Sequence, residues 1–278
     1  DLREALQLLA AKKRQGLLDF DRVVIETTGL ADPGPVAQTF FMDDEIAESY
    51  LLDSILTLVD AKHAPQQLND RQEARRQVGF ADQIFISKSE LVSAEETEAL
   101  IHRLKHMNPR APQQKAHFGD VPLKDIFDLR GFNLNAKLDI DPDFLKEDDH
   151  DHHDHDHAHG EHCDHPSHAH DGHGHHHHTD DDVKSFVYKA DRPFDPAKLE
   201  DFLGAIVNIY GPRMLRYKGV LNMKGTERKV IFQGVHQLMG SDLGPEWGKD
   251  EARQSRMVFI GIELPREILE QGLEQCLV

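Results

Sequence analysis

The sequence predicts an α/β protein in which a parallel sheet with helices on both faces is followed by a small α+β domain. Three observations carry this expectation. Short runs rich in β-branched residues, at 21–25, 55–59 and 83–86, alternate with stretches of helical periodicity, as in a sheet covered on both sides. Each run ends abruptly in polar residues: Glu26-Thr27-Thr28-Gly29, Asp60, and Ser87-Lys88-Ser89-Glu90. Between Glu147 and Asp182 almost nothing apolar occurs, so the chain divides there.

The elements follow in order. Leu2, Leu6, Leu9 and Ala10 recur at helical spacing behind Asp1-Leu2-Arg3-Glu4, which has the form of a capping box, and Gly16 is a natural stop. A chain that opens on Asp within a helix start reads as one whose beginning is missing. A strand is expected at 21–25, a second at 55–59, a helix over 65–78, a third strand at 83–86, and a helix from the Ser93/Glu96 capping box to about Met107. In such an architecture chemistry gathers beyond the carboxyl ends of the strands, where Glu26, Asp60 and Ser87 to Glu90 fall. Asp60 taken alone reads equally well as a residue that merely ends a strand.

After the polar stretch, 185–188 reads as a strand and 196–210 as an amphipathic helix with Leu199, Phe202, Leu203, Ile206 and Val207 on one face, stopped by Gly211-Pro212. Strands are expected at 215–223, 229–235 and 257–262, with a last helix over 265–277. His236 at a strand end reads as a structural hydrogen-bonder, Cys276 as a buried thiol and Trp247 as a packing residue.

The stretch from Glu147 to Asp182 holds fifteen of the 20 histidines, twelve acidic residues and neither Lys nor Arg. Too polar to offset the entropy of ordering itself, it is expected to be a disordered loop. Neutral imidazole is a good ligand for zinc, copper, nickel and cobalt, and near pH 7 most of these rings are unprotonated. His150, His152, His153, His155, His157, His159, His162, His165, His168, His170, His173, His175, His176, His177 and His178, with Cys163 as a thiolate, are the candidate metal ligands. No C-x-x-C spacing is present, so several exchanging sites are expected in place of one rigid tetrahedron. An expression tag would be an uninterrupted terminal run, and a plain acidic linker would have no need of histidine.

The loop's acidic residues account for all but −6 of the net charge of −18, leaving an ordinary acidic protein with no basic, aromatic-laced patch for nucleic acid. Two cysteines, Cys163 and Cys276, exclude a disulfide framework. With no signal peptide and no membrane-spanning apolar run, the cytoplasm is the expected compartment.

Glu26 followed three residues later by Gly29 has the pattern of a nucleotide-switch segment. The carboxylate can hold a magnesium ion, usually through water, and the glycine N–H can approach a terminal phosphate. Ser87-Lys88-Ser89-Glu90 has the pattern of a guanine-reading turn, with the Lys stem along the base and the carboxylate accepting from the guanine edge. With Val23-Val24-Ile25-Glu26-Thr27-Thr28-Gly29-Leu30-Ala31-Asp32-Pro33, Phe80-Ala81-Asp82-Gln83, the His-rich insert and Phe232-Gln233-Gly234-Val235-His236, the chain resembles the CobW-type metal-handling P-loop GTPases along essentially its whole length.

That resemblance implies a partial P-loop GTPase sheet over residues 1–140, the metal-binding loop over 141–183, and a CobW carboxy-terminal-like domain over 184–278. It implies a GTP-dependent metal chaperone or insertase using GTP and Mg2+, carrying Zn2+ (with Co2+ or Ni2+ as other cargoes), and serving a client metalloprotein. A metal buffer without enzymatic activity and a cobalt chaperone for cobalamin synthesis are the alternatives. Two family motifs have no counterpart in these residues: the G-x-x-x-x-G-K-[ST] phosphate loop and the C-x-C-C metal motif, which would lie just upstream of Asp1. The chain as given is therefore expected to hydrolyse GTP poorly or not at all. Glu90 stands where the family pattern has Asp, and one extra methylene moves the carboxylate that reads guanine.

Overall fold

The computed structural model describes residues 1–132 and 181–278. Its first part is a three-stranded parallel sheet in the order β1 (Leu56–Asp60), β2 (Gln83–Ser87), β3 (Gln113–Ala116). Around it lie α1 (Leu2–Arg14), α2 (Pro33–Met42), α3 (Asp44–Ser49), α4 (Ala64–Asp70), α5 (Gln72–Phe80) and α6 (Ala94–Met107). The second part is an antiparallel five-stranded sheet in the order β4-β8-β5-β6-β7, with two helices. Its strands are β4 (Val183–Ala190), β5 (Met214–Leu221), β6 (Arg228–Val235), β7 (Leu238–Glu246) and β8 (Ser255–Ile262), and its helices α7 (Pro196–Tyr210) and α8 (Arg266–Gln275). The expected α/β class with a following α+β unit is what the chain adopts.

Local chemistry explains several of these elements. The Asp1 carboxylate accepts from the N–H groups of Arg3 and Glu4 while Glu4 reaches back to the amino end, so α1 begins with a complete capping box, and Leu6 and Ala10 bury its inner face. Ser93 and Glu96 form the same device at α6, which buries Leu100, Leu104 and Met107. The central strand β2, Gln-Ile-Phe-Ile-Ser, is buried from Gln83 to Ile86, as a strand covered on both faces must be.

The structure departs from expectation at four places. Residues 21–27 run without regular structure; no strand pairs with them among the described residues, and Val24 is 77 % exposed, because a β-branched run becomes a strand only when a neighbour completes its hydrogen bonds. The helix expected over 65–78 is two helices broken at extended Arg71, and the Arg75 guanidinium takes up the carbonyls of Leu68 and Asn69 at the break. The helices α2 and α3, and the strands β3 and β7, have no periodicity that announces them: β3 reads Gln-Gln-Lys-Ala, and β7 is an edge strand mostly exposed on both faces. Asp181, Asp182 and Val183, counted with the polar loop on sequence, stand in the folded body. Asp181 is buried against Arg103 at 2.7 Å, Asp182 meets Arg75 at 2.5 Å, and Val183 opens β4.

The two sheets share a core. Ile84, Ile86, Val78, Leu104 and Met107 from the parallel part pack in one cluster with Leu215, Val258 and Ile260 from the antiparallel sheet. Phe259 of β8, Phe232 of β6 and Tyr217 of β5 point the other way into a second cluster with Leu199, Leu203, Leu269 and Leu273 of α7 and α8, the register shift between Met214 and Arg216 putting Leu215 and Tyr217 on opposite faces. The inner strands β5 and β8 of the five-stranded sheet are thus buried on both sides, while the edge strand β7 is not. Gly79 shows how close the two parts come, since a Cβ there would lie 2.5 Å from Leu215 Cδ1.

Candidate nucleotide site

Parallel register brings the strand ends to one level: Asp60 is paired with Ser87 across β1 and β2, and Ser87 with Ala116 across β2 and β3. The chain turns sharply at Lys88, which holds a left-handed conformation (φ 58°, ψ 26°) unusual for a side chain of its size and leads into a short 3-10 turn over Ser89–Leu91. That turn carries the Lys88 ammonium to 2.7 Å from Asp60 Oδ2, and His63 Nδ1 reaches the same oxygen at 3.0 Å. The other Asp60 oxygen accepts from the N–H groups of Lys62 and His63. Burial pushes the Asp60 carboxyl up, but the Lys88 and His63 contacts and the two backbone donors outweigh it and hold the group well below the ordinary carboxylate range.

Of the residues singled out on sequence, Ser87, Lys88 and Glu90 are gathered here. Ser87 Oγ donates to the Val59 carbonyl, which locks the end of β2 against β1. Glu90 is exposed and has His117 Nδ1 at 3.6 Å from Oε2, while Phe118 beside it is 87 % exposed with φ 51°. Asp60, read on sequence as equally a strand terminus, is the anchor of the turn. Its only sequence signal was position.

Glu26 and Gly29 lie on another segment, and both are exposed. Among the described residues no hydrogen bond or ion pair joins Glu26 to the Ser87–Glu90 turn. The segment is held from its far side by α5: Gln77 Nε2 donates to the carbonyls of Gly29 and Ala31, and Arg76 Nη1 meets Asp32 Oδ2 at 2.6 Å. Asp32 Oδ1 in turn accepts from Gly34 N–H as the N-cap of α2, where Pro33 occupies the first helical position. Sequence reading missed Asp32, Arg76 and Gln77 as a holding set, since Asn/Asp-Pro pairs announce only a turn.

All sixteen candidate metal ligands, the fifteen histidines from His150 to His178 and Cys163, lie outside the described residues. Among the described residues no group of three or more His, Cys, Asp or Glu converges where it could hold a metal ion, and no helix is long and apolar enough to cross a membrane. Cys276 is buried, as its sequence context implies, and His236 makes the structural hydrogen bond expected of it, to the Gly211 carbonyl.

A parallel sheet with polar turns at its carboxyl ends, joined through a common core to an antiparallel α+β domain, defines an α/β protein of two parts. Comparison with known proteins makes this specific. Residues 1–115 match the CobW/HypB/UreG nucleotide-binding domain and residues 183–277 the cobalamin synthesis protein cobW C-terminal domain. The chain is 36% identical to the zinc chaperone YjiA of Escherichia coli, over 96% of this chain and 74% of that protein. It is 26% identical to zinc-regulated GTPase metalloprotein activator 1 of Dictyostelium discoideum, over 100% of this chain and 63% of that one. The crystal structure of the Zn(II)-bound YjiA GTPase from E. coli superposes with a TM-score of 0.78 at 34% identity, over 99% of this chain and 77% of that one. The chain belongs to the CobW family of nucleotide-binding proteins, and its relatives are GTPases.

Proposed function

We propose that this protein, with a P-loop segment in place, is a GTP-responsive metal chaperone whose cargo is zinc and whose acceptor is a client metalloprotein. The observation that carries the reading is the pinned turn at Ser87–Glu90, level with the end of β1, in a chain whose relatives are named as zinc chaperones and zinc-regulated GTPases. Lys88 supplies an alkyl stem for a guanine base, and Glu90 a carboxylate for the two donors on its edge. Glu26, exposed and held on its own segment, suits a magnesium ion approached through water, and Gly29 offers a backbone N–H with no side chain in the way. These assignments fit the donor types present; Mg2+ would neutralise charge developing on the phosphates.

The His/Asp stretch would gather zinc, and nucleotide state at the 26–29 segment would set when it is passed on. Without a phosphate loop in residues 1–278, this chain alone is expected to show negligible GTP turnover, which an upstream P-loop segment restores. The function is checked by handover. Zinc-loaded protein carrying the P-loop segment is mixed with a zinc-requiring apo-enzyme, and activation of that enzyme should be several-fold faster with GTP than with GDP. Equal rates with GTP, GDP and no nucleotide would leave no role for the switch.

A further inference from the structure

The segment that carries Glu26 and Gly29 runs directly into a contact with the second domain. Gly34, the second residue of α2, lies so close under the His236 ring that a Cβ there would stand 2.3 Å from Nε2 and 2.7 Å from Cδ2. His236 is only 7% exposed. Its ring is fixed from three sides. Nδ1 lies 3.2 Å from the Gly211 carbonyl, and since a carbonyl only accepts, Nδ1 carries the proton and Nε2 presents its lone pair toward Gly34. Phe80, the last residue of α5, meets the ring edge-on with centroids 5.2 Å apart. The His236 backbone is left-handed at φ 51°, and its carbonyl lies within reach of the Tyr217 hydroxyl.

The α5 helix closes the circuit. Arg76 and Gln77 hold Asp32, Gly29 and Ala31, while Gly79 and Phe80 one turn later pack on Leu215 and His236. Because the ring has no space to yield toward Gly34, a movement of residue 34 toward the second domain would press on His236. On the far side, His236 and Gln237 form the turn that opens β7. Leu238, Met239 and Gly240 at the start of that strand line a cavity of about 250 Å³ together with Phe41, Phe132 and Val235.

We propose that His236 is a positioning residue for the nucleotide reaction: its ring, seated on Gly34, sets the stance of the Glu26–Gly29 segment and relays its movement to the β6–β7 turn. The inference rests on the reading of that segment as nucleotide-responsive. Burial lowers the ring's proton affinity below the ordinary imidazole value, opposed by the Gly211 carbonyl and the Asp32 carboxylate and assisted by Arg76. Asp32 and Arg76 are the charged groups that face it, and Tyr217 is the further titratable one beside it. Protonation would turn Nε2 from acceptor into donor, so the relay should fail as pH falls through a value below about 6.5.

The test uses the chain with a P-loop segment joined upstream and compares the unsubstituted protein with His236→Asn, which keeps a residue that tolerates the left-handed turn but removes the ring from Gly34. The expected result is kcat for GTP lowered roughly five- to tenfold with GTP affinity within about twofold of wild type. The fall in wild-type kcat below pH 6.5 should be absent from the variant, a readout that simple loosening of the fold would not move. Gly34→Ala should lower kcat likewise, and in a His236→Ala background most of that loss should vanish, since the methyl then occupies the vacated space and only Asp32 Oδ1, 3.1 Å from the added Cβ, must give slightly. Identical kcat and pH profile in wild type and His236→Asn, or additive losses in the double variant, would overturn the proposal. If wild type itself binds no GTP, the reading of the 26–29 segment fails and this inference with it; normal GTP binding and turnover with an inert His236 defeats the inference alone.

Discussion

Replacing Arg216 by alanine is expected to destabilise the fold by about 3 kcal/mol or more, a large fraction of a typical domain's total. Arg216 is buried on β5 and meets Asp82 Oδ1 at 3.0 Å and Oδ2 at 3.2 Å, with the two side chains 4% and 8% exposed. The same Nη1 and Nη2 also reach the carbonyls of Phe80 and Gly131, and the guanidinium lies 3.9 Å from the Phe132 ring centroid. One side chain of the second domain therefore ties together the end of α5, the entry to β2 and the 131–132 segment. Removing it strands the Asp82 carboxylate in a buried site, leaving Lys218 at 3.2 Å and the Ile55 N–H at 2.9 Å, which keeps the loss toward the lower end of the range for broken buried pairs.

The pH dependence gives this prediction a sign. Burial pushes the Asp82 carboxyl up, but Arg216, Lys218 and the Ile55 N–H prevail and hold it below its ordinary value of 3.8. Stability contributed by this group is thus fully present above the ordinary carboxylate pKa and lost as pH falls through the lower folded value. In Arg216→Ala the same carboxyl should bind its proton more readily, so the gap between wild type and variant narrows on acidification below about pH 4. Urea unfolding of both proteins from pH 7 downward measures it. A loss under 1 kcal/mol, or a gap constant with pH, would show that the pair is not what joins the two parts.

Replacing the fifteen histidines from His150 to His178 by serine is expected to abolish binding of several zinc ions. Serine keeps the chain polar and leaves the acidic residues in place, so the comparison isolates imidazole from general cation attraction. Because the ligating rings must be neutral, zinc uptake by the wild type should fall steeply between pH 7 and pH 5.5, as imidazole takes up protons. Equilibrium dialysis at both pH values, with Cys163 retained, distinguishes the cases. An unchanged stoichiometry in the serine variant would place the zinc elsewhere in the chain.

Much of this architecture could be read before the fold was known, and the parts that could not share a cause. Capping boxes at Asp1/Glu4 and Ser93/Glu96, and the continuously apolar β2, are local signals, and each formed the element it announced. Strand status is not local. Val23-Val24-Ile25 has the composition of a strand and no partner among the described residues, whereas Gln113-Gln114-Lys115-Ala116 lacks that composition and is a strand because β2 lies beside it. The Ser87–Glu90 turn was legible as a motif, yet its anchor Asp60 was not, since the register that pairs residues 60 and 87 exists only in the folded sheet. The same holds for Arg216 with Asp82 and for His236 over Gly34. Contacts across 134 and about 200 residues leave no periodicity in the sequence.

Nucleotide and zinc are expected to report to each other through this one protein. The measurement to make is GTP affinity of the chain joined to an upstream P-loop segment, with magnesium, titrated in the absence and presence of zinc. Zinc is expected to change GTP affinity at least fivefold, and GTP to change zinc affinity by the same factor, as linkage requires. Zinc binding with no effect on GTP, in either direction, would contradict this coupling and leave a metal buffer on a nucleotide-binding scaffold.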